Sequence, residues 1–259
     1  VPEFRVACCM LKEEILPELR RSKFIVSVEK IGWSDEELKE HWNNNPEKLN
    51  LEELLYTATL FEDMETKADI YKKTIAMHPK CLRAHNNYGW TQFELGNIDA
   101  AEASFLAAKQ MKDHDIVNNN LGAVALVKND VEKANELFTS ALGAGDQVNY
   151  NLGIVNIIEG EYGKALNYFG NEPSYNKALA QYLNGDDQSG YRSAVNLTEE
   201  TAQQYYLVAV IAASQDKDDV ALENLKVAVA KDASLKERAK KDLEFADLFE
   251  NTEFKSIVD

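Results

Sequence analysis

The sequence predicts an all-α protein, a right-handed α-α superhelix in which antiparallel helix pairs stack on one another. Three observations lead to this fold class. A segment that ends in glycine recurs at intervals of 33 and 31 residues, and a pattern of small and aromatic residues follows each copy at the same distance. Helix breakers are also scarce, because the 259 residues include only 5 prolines and 12 glycines.

Three clear copies of the glycine segment occupy residues 86–89, 119–122 and 150–153. Each copy predicts the first helix of a pair. A glycine midway along this helix allows the partner helix to approach closely, because no side chain stands between the two backbones.

The second helix of each pair is predicted by an alanine and a phenylalanine four positions apart. This spacing places both side chains on one helix face, where the aromatic ring fills the space between neighbouring pairs. A polar turn separates the two helices. The alanine and phenylalanine pairs are Ala101 and Phe105, Ala134 and Phe138, and Ala165 and Phe169.

Weaker copies extend the repeat on both sides. Residues 51–79 and 205–233 fit the same template, and residues 169–201 form a compressed copy, which predicts about six helix pairs within residues 34–233. The tail, residues 234–259, is rich in leucine and phenylalanine. It is predicted to provide a capping helix, because the open end of a repeat array must be covered.

Residues 1–33 do not fit the repeat. Within them, residues 8–19 predict a helix, and the alternating β-branched residues 24–28 predict a strand. Because a strand needs a partner strand, we expect this segment to be a remnant of an upstream domain or to contact one. Cys8 and Cys9 are predicted to fill apolar space rather than to form a redox pair.

Two helix starts are indicated by capping residues. Ser34 and Glu37 match the capping-box pattern, which predicts that a short helix begins directly after Ser34. Asn50 is a favourable N-cap and predicts the start of the next helix.

The charge and composition exclude several classes of protein. With a formal net charge of -16, the chain lacks the basic face that nucleic acids and anionic membrane surfaces require. No apolar run approaches the roughly 20 residues that span a bilayer, so no direct membrane insertion is expected in this segment. Because there is no initiator methionine and no signal peptide, we expect the sequence to be the interior of something longer.

No catalytic or cofactor site is predicted. His78, Cys81 and His85 are close in sequence, but Pro79 interrupts them and no fourth ligand is evident, whereas a structural zinc site needs four. No Gly-x-Ser-x-Gly, His-Glu-x-x-His or phosphate-binding glycine loop occurs. We therefore expect a protein with no enzymatic activity, no metal and no cofactor.

The repeated residues resemble the tetratricopeptide repeat, whose first helix carries a large and a small apolar residue and whose second helix carries small, aromatic and small residues. The resemblance implies a binding scaffold for a protein or peptide partner. It also implies that positions two, five, nine and twelve of each repeat line the concave face. These positions hold Arg83, Asn86, Trp90 and Phe93, then Ile116, Asn119, Ala123 and Leu126, then Gln147, Tyr150, Ile154 and Ile157.

The predicted concave face is apolar with an amide edge. Its asparagine side chains can pair with a peptide backbone, and Trp90, Phe93 and Tyr150 offer aromatic anchors of the kind that dominate binding energy. The alternative is that Trp90 and Phe93 pack against the preceding helices and leave no groove.

Some proteins of this family bind a C-terminal carboxylate with basic residues of the first helices. Asn87, Asn120 and Asn151 match the asparagine of that clamp. The positions where basic residues would be needed hold Asn119, Ala123 and Gln147. A carboxylate clamp is therefore not expected, and the three asparagines are predicted to cap or brace neighbouring helices.

A wider resemblance covers nearly the whole chain. Residues 19–22, 32–37, 52–60 and 242–245 are similar to the helical-repeat extensions that follow an outer-membrane-protein-A-type domain in some Gram-negative envelope proteins. This resemblance implies a periplasmic location, association with the outer membrane, and a link to the cell wall through an upstream peptidoglycan-binding domain.

Together these features predict a non-catalytic protein-interaction scaffold of the cell envelope that binds its partner on the concave helical surface. The alternative is a structural spacer, which would hold the upstream domain at a set distance and would have no specific ligand of its own.

Overall fold

The computed structural model describes residues 32–171 and 173–259, which contain fifteen α-helices, three short 3₁₀-helices and no β-strand. The all-α prediction is confirmed for this part of the chain. The helix and strand predicted for residues 8–19 and 24–28, together with Cys8 and Cys9, lie outside the described residues.

The α-helices follow one another at short intervals. They are α1 Asp35–Asn44, α2 Leu51–Thr59, α3 Met64–Met77, α4 Leu82–Glu94, α5 Ile98–Met111, α6 Asp115–Val127, α7 Val131–Ser140, α8 Asp146–Ile158, α9 Tyr162–Phe169, α10 Tyr175–Leu183, α11 Asp187–Val195, α12 Ala202–Ala213, α13 Asp218–Lys231, α14 Leu235–Ala239 and α15 Thr252–Val258. The 3₁₀-helices are Pro46–Lys48, Leu142–Ala144 and Leu243–Leu248.

Helices α2 to α13 form six consecutive pairs, from α2 with α3 to α12 with α13. From α4 to α13, each helix packs most extensively against its partner in the pair and less extensively against the adjacent pair. Short turns join the helices, so the two members of a pair run antiparallel. The result is a superhelical stack in which each pair contacts mainly its neighbours in sequence.

The first two helices begin at the predicted capping residues. The Ser34 hydroxyl accepts a hydrogen bond from the Glu37 backbone N–H at 3.3 Å, and the Glu37 carboxylate accepts one from the Ser34 backbone N–H at 2.9 Å. Asn50 and Glu53 form the same reciprocal pair at the start of α2, at 3.1 and 2.8 Å. Both helix-start predictions are confirmed.

The turn inside each of the last five pairs has one common backbone conformation. In the second pair, Gly96 has a φ of 76°, and the next residue, Asn97, donates its backbone N–H to the Gln92 carbonyl at 2.8 Å. This is the Schellman arrangement, which requires a residue that tolerates positive φ. Equivalent turn residues are Asn129, Gly160, Gly185 and Asp216. The turns are rich in glycine, asparagine and aspartate because these residues tolerate positive φ.

A glycine and a phenylalanine meet inside each of the three middle pairs. The contacts join Gly89 to Phe105, Gly122 to Phe138, and Gly153 to Phe169. A Cβ atom built on Gly122 would lie 2.5 Å from the Phe138 ring, so any larger residue would force the ring to shift. This close approach was predicted from the sequence and is confirmed.

The same rings also pack against the following pair. Phe105 is fully buried and shares a hydrophobic cluster with Val117, Leu121 and Val124 of α6. Phe138 occupies the same place against Val148, Leu152 and other residues of α8. Each aromatic ring thus stabilises both its own pair and the junction to the next one.

The C-terminal end of the stack is covered by the tail. Instead of one capping helix, the tail forms α14, the 3₁₀-helix Leu243–Leu248 and α15. The 3₁₀-helix packs on α12 and α15 packs on α13, which buries Phe245, Phe254 and Val258 against the last pair. Three short elements arise because Asp242 and Asn251 each cap a new helix within this segment.

Candidate functional site

A row of side-chain hydrogen bonds joins successive first helices. Asn120 donates to the Asn86 side-chain oxygen at 3.0 Å, and Asn151 donates to the Asn119 oxygen at 2.9 Å. One pair further on, Asn176 donates to the Tyr150 hydroxyl oxygen at 2.9 Å. The row therefore runs continuously from α4 through α6 and α8 to α10.

This row gives Asn120 and Asn151 the bracing role that the sequence predicted. It leaves part of each amide unused. Within the described part of the chain, neither the Asn119 side-chain N–H groups nor the Asn120 side-chain oxygen forms a hydrogen bond. These groups can still pair with a peptide backbone that lies across the first helices.

The predicted aromatic anchors differ in exposure. Trp90 and Tyr150 are 38% and 37% exposed, and Ile116 of α6 is 49% exposed. Phe93 is only half-buried but packs against the cluster that contains Phe105. The structure therefore places Trp90 and Tyr150 at the surface and brings Phe93 into contact with the core.

The remaining predicted site residues lie on the same first helices, α4, α6 and α8. Asn86 and Asn119 belong to the hydrogen-bonded row. Gln147 is exposed, whereas Ile154 is half-buried against the cluster of Ala165 and Phe169. The surface formed by Arg83, Asn86, Trp90, Asn119, Gln147 and Tyr150 is called the first-helix surface below.

An ion pair and a cation–π contact involve residues of the first-helix surface. The Arg83 guanidinium forms an ion pair with Glu52 of α2, in which its Nη1 atom lies 3.0 Å from the carboxylate. The hydrogen bond from Arg83 lowers the pKa of Glu52 and, reciprocally, raises the pKa of Arg83. Lys67 reaches over the Trp90 ring, with its Nζ atom 5.9 Å from the ring centroid.

Two cavities flank Tyr150 where α8 and α9 meet α10. One has a volume of 520 Å³ and is lined by Asp146, Gln147, Asn149, Tyr150, Asn167, Tyr168, Phe169, Gly170 and Asn171. The other has a volume of 190 Å³ and is lined by Tyr150, Pro173, Ser174, Tyr175, Asn196, Leu197, Thr198 and Glu199. The Tyr150 ring between them packs on Phe169, with the ring centroids 5.3 Å apart.

Most of these lining residues are absent from the predicted site. They come from the second helix α9, the loop before α10 and the segment after α11, and also from first-helix positions outside the four that the prediction used. One signal was available in the sequence. Tyr150, Tyr175 and Tyr206 each stand three residues before the small residue of their own first helix, so they share one repeat position.

Neither a metal-binding cluster nor a membrane-spanning helix occurs within residues 32–171 and 173–259. In that part of the chain, no group of three or more His, Cys, Asp or Glu side chains is arranged to hold a metal ion. His85 instead lies with its Nε2 atom 3.1 Å from the Pro79 carbonyl oxygen. None of the helices there has the length and apolar character needed to cross a membrane.

Comparison with known proteins assigns the architecture. A family model described as tetratricopeptide repeat matches residues 68–116, from within α3 to the start of α6. A chain of the Cut9-Hcn1 hetero-tetramer of the APC/C superposes over 87% of this chain with a TM-score of 0.69. The fold is the tetratricopeptide-repeat solenoid. No curated protein matches the sequence.

Other tetratricopeptide-type structures resemble the chain over most of its length. A tetratricopeptide repeat protein from Parabacteroides merdae has a TM-score of 0.61 and 18% identity, over 78% of this chain and 88% of that one. PilW, named as a type IV pilus biogenesis factor, has the same score and identity, over 81% and 98%. The Cut9-Hcn1 match is 13% identical and involves only 46% of that chain. At these identities the likeness concerns the fold.

Proposed function

We propose that this tetratricopeptide-type solenoid is a non-catalytic scaffold that binds a protein or peptide partner on its first-helix surface. The observation that carries the proposal is the exposure of Trp90 and Tyr150 beside amide groups that have unused hydrogen-bonding capacity. Exposed aromatic side chains next to amides are typical of surfaces that bind peptides.

The spacing of the row fits an elongated partner. Asn86, Asn119 and Tyr150 occupy equivalent positions on α4, α6 and α8, so a chain lying across these helices meets a polar group at every step. Trp90 and Tyr150 lie toward opposite ends of this row. A peptide of extended or helical form can place one apolar side chain against each of them.

We further propose a place in the cell envelope, at the periplasmic side of the outer membrane, with a link to the cell wall through a domain upstream of residue 1. Support comes from the sequence resemblance to envelope proteins described above. It also comes from the likeness in fold to PilW, whose name describes a factor in type IV pilus biogenesis.

A structural spacer is the second candidate, and specific contacts favour it. The Asn120 and Asn151 amides are used to join first helices, and Arg83 is already paired with Glu52. A spacer needs such internal bracing but no exposed anchor. The exposure of Trp90 is the feature that a spacer does not explain.

Capture from an envelope extract separates the two candidates. The immobilised chain should retain a partner, and the variant with Trp90→Ala and Tyr150→Ala should retain at least tenfold less, because each aromatic anchor contributes about 1–2 kcal/mol or more to binding. The matched control is Leu106→Ala with Met111→Ala, two side chains of α5 that are 44% and 39% exposed.

The helical melting transition of each variant is measured alongside the capture. Unchanged melting with selective loss of the partner supports the scaffold. Equal retention by wild type and both variants contradicts binding at the first-helix surface. No retained partner above background contradicts the scaffold and favours the spacer.

A further inference from the structure

Three tyrosines occupy one repeat position on successive first helices. Tyr150 belongs to α8, Tyr175 to α10 and Tyr206 to α12. Their environments differ strongly. Tyr150 is 37% exposed, whereas Tyr206 is 2% exposed. The difference arises because the tail covers Tyr206 but does not extend to Tyr150.

The tail places an arginine against the last tyrosine of this row. The guanidinium carbon of Arg238 lies 4.7 Å from the centroid of the Tyr206 ring, and the Tyr206 hydroxyl donates a hydrogen bond to Asp242 at 2.8 Å. A guanidinium over an aromatic face is an attractive contact, and the carboxylate adds an acceptor beside it.

Arg238 also acts on the preceding tyrosine. Burial raises the pKa of the Tyr175 hydroxyl, and the positive charge of Arg238 opposes that rise. The guanidinium of Arg238 therefore lies over the Tyr206 ring, and its charge also acts on Tyr175. The contact with Tyr206 is an internal example of a guanidinium seated on a tyrosine of this row.

A cavity lies beside the tyrosines one pair earlier in the row. The 190 Å³ cavity is bounded by Tyr150 and Tyr175, and Glu199 provides a carboxylate in its wall. Ser174, Asn196 and Thr198 add polar groups. The Tyr150 ring is held in place by Phe169 and by the hydrogen bond from Asn176.

The charges around this cavity favour a cation. Among the described residues that line either cavity beside Tyr150 there is no lysine or arginine, whereas Glu199 lines one and Asp146 lines the other. Arg238, whose charge acts on Tyr175, lines neither cavity. The formal net charge of the chain is -16. An anionic group would be repelled, and a purely apolar side chain would leave the polar wall without partners.

Arginine fits these groups better than lysine does. Its planar guanidinium can stack on a tyrosine ring while its five N–H donors reach a carboxylate and several hydroxyl or amide oxygens. A lysine ammonium has a point charge and three donors, and it cannot stack as a plane.

We propose that the cavity between Tyr150 and Tyr175 binds an arginine side chain of the partner protein, one helix pair before the place that Arg238 occupies. This rests on the proposed function, because the cavity adjoins Tyr150 at one end of the first-helix surface. The partner is then a protein that presents an arginine beyond the segment lying across α4 to α8.

The first test is a titration of the isotopically labelled full chain with a glycine-flanked pentapeptide that carries a single arginine, followed by NMR. We expect saturable shifts of the backbone amides of Tyr175, Leu197 and Glu199. A lysine peptide should bind several-fold more weakly, and a glutamine peptide should cause no saturable shift at the same concentrations.

Two matched pairs of variants sharpen the titration. Glu199→Gln should weaken the arginine peptide about fivefold, while Glu132→Gln, an exposed glutamate of α7, should leave binding unchanged. Tyr150→Leu should weaken binding by a similar factor, and Tyr56→Leu, a tyrosine of α2 that is 50% exposed, should not. Unchanged melting transitions confirm that all four variants are folded.

The proposal is overturned if the wild-type chain shows no saturable shift, if lysine and glutamine peptides bind as well as arginine, or if Glu199→Gln has no effect. A neutral disaccharide that shifts the same amides when the arginine peptide does not would assign the cavity to carbohydrate instead.

The test of the arginine site can succeed or fail independently of the test of the proposed function. If Trp90→Ala abolishes capture of the partner while the arginine peptide fails to bind, only the arginine site is wrong. If the arginine peptide binds as expected but no partner is retained from the extract, the scaffold function is wrong and the cavity remains a cation site.

Discussion

The three middle helix pairs and the fifth pair fill the same repeat positions with different side chains. In the middle pairs a phenylalanine ring lies on a glycine. In the fifth pair both positions hold alanine, Ala178 and Ala194, which are fully buried. There the second helix approaches so closely that a Cβ atom on Gly190 would lie 3.0 Å from the Tyr182 backbone nitrogen.

The comparison shows that the spacing of sixteen residues between the two positions is kept while the contact changes from ring on glycine to backbone on backbone. The first helix of the fifth pair is also shorter. It has 9 residues, whereas α4, α6 and α8 have 13 each. The cavities beside Tyr150 lie where these two kinds of pair meet.

The largest expected effect comes from removing a ring of the middle pairs. Phe138→Ala should lower the free energy of unfolding by about 3–5 kcal/mol, because the buried ring contacts both its own pair and the next one. Denaturant unfolding monitored by circular dichroism measures this change. Leu106→Ala, at an exposed position of α5, should change stability by less than about 0.5 kcal/mol. Equal losses in the two variants would contradict the assigned role of the ring.

Replacing a buried glycine by alanine should destabilise both kinds of pair. Only in the middle pairs should truncation of a neighbouring side chain restore part of the lost stability. Gly122→Ala should cost about 1–2 kcal/mol, since the new Cβ meets the Phe138 ring although alanine favours helix. Combining it with Phe138→Leu should give a smaller loss than the sum of the single changes. Gly190→Ala meets backbone atoms, so no side-chain truncation should rescue it. A double-mutant cycle that is additive in the middle pair would refute this distinction.

Substitution of the turn glycine should lower stability by the same amount in the two kinds of pair. Gly160 of the fourth pair and Gly185 of the fifth have φ values of 77° and 82°, and neither would clash through an added Cβ. Replacing either by alanine should therefore cost about 1 kcal/mol through backbone strain alone. Thermal unfolding of the two variants tests this expectation. A much greater loss in one of them would show that the turn, and not only the interface, differs between the pairs.

The smallest effect on stability at neutral pH comes from the ionisation of a tyrosine. Burial raises the pKa of Tyr182 in the fifth pair from 10.0 to about 12, with a further contribution from Glu244. Because the folded pKa exceeds the unfolded one, this tyrosine contributes stability that is present below pH 10 and is lost as the pH rises toward 12. Tyr182→Phe should flatten the alkaline part of the stability profile. Phe138→Leu, in a middle pair, should leave the shape of that profile unchanged.

Much of the fold could be predicted because its determinants are local. The capping box at Ser34, the N-cap at Asn50 and the spacing of Gly122 from Phe138 are properties of short segments, and each is present as predicted. The tail was harder to predict. Its leucine and phenylalanine residues indicate burial, but the caps at Asp242 and Asn251 divide it into three short elements.

The candidate site was less predictable than the fold. Repeat position identifies which residues belong to the first-helix surface, but Trp90 is exposed and Phe93 contacts the core although both come from the same helix. Whether a ring is exposed depends on which neighbouring helices cover it, and repeat position alone does not specify that.

The sequence by itself determined the helical period, the small and aromatic positions that must face each other, and the turns that need glycine, asparagine or aspartate, because these depend on contacts and backbone conformations within one pair. Only the tertiary structure decided that the tail covers Tyr206 while Tyr150 stays open beside a cavity. Such a difference depends on where segments distant in sequence come to rest, and no local pattern specifies that.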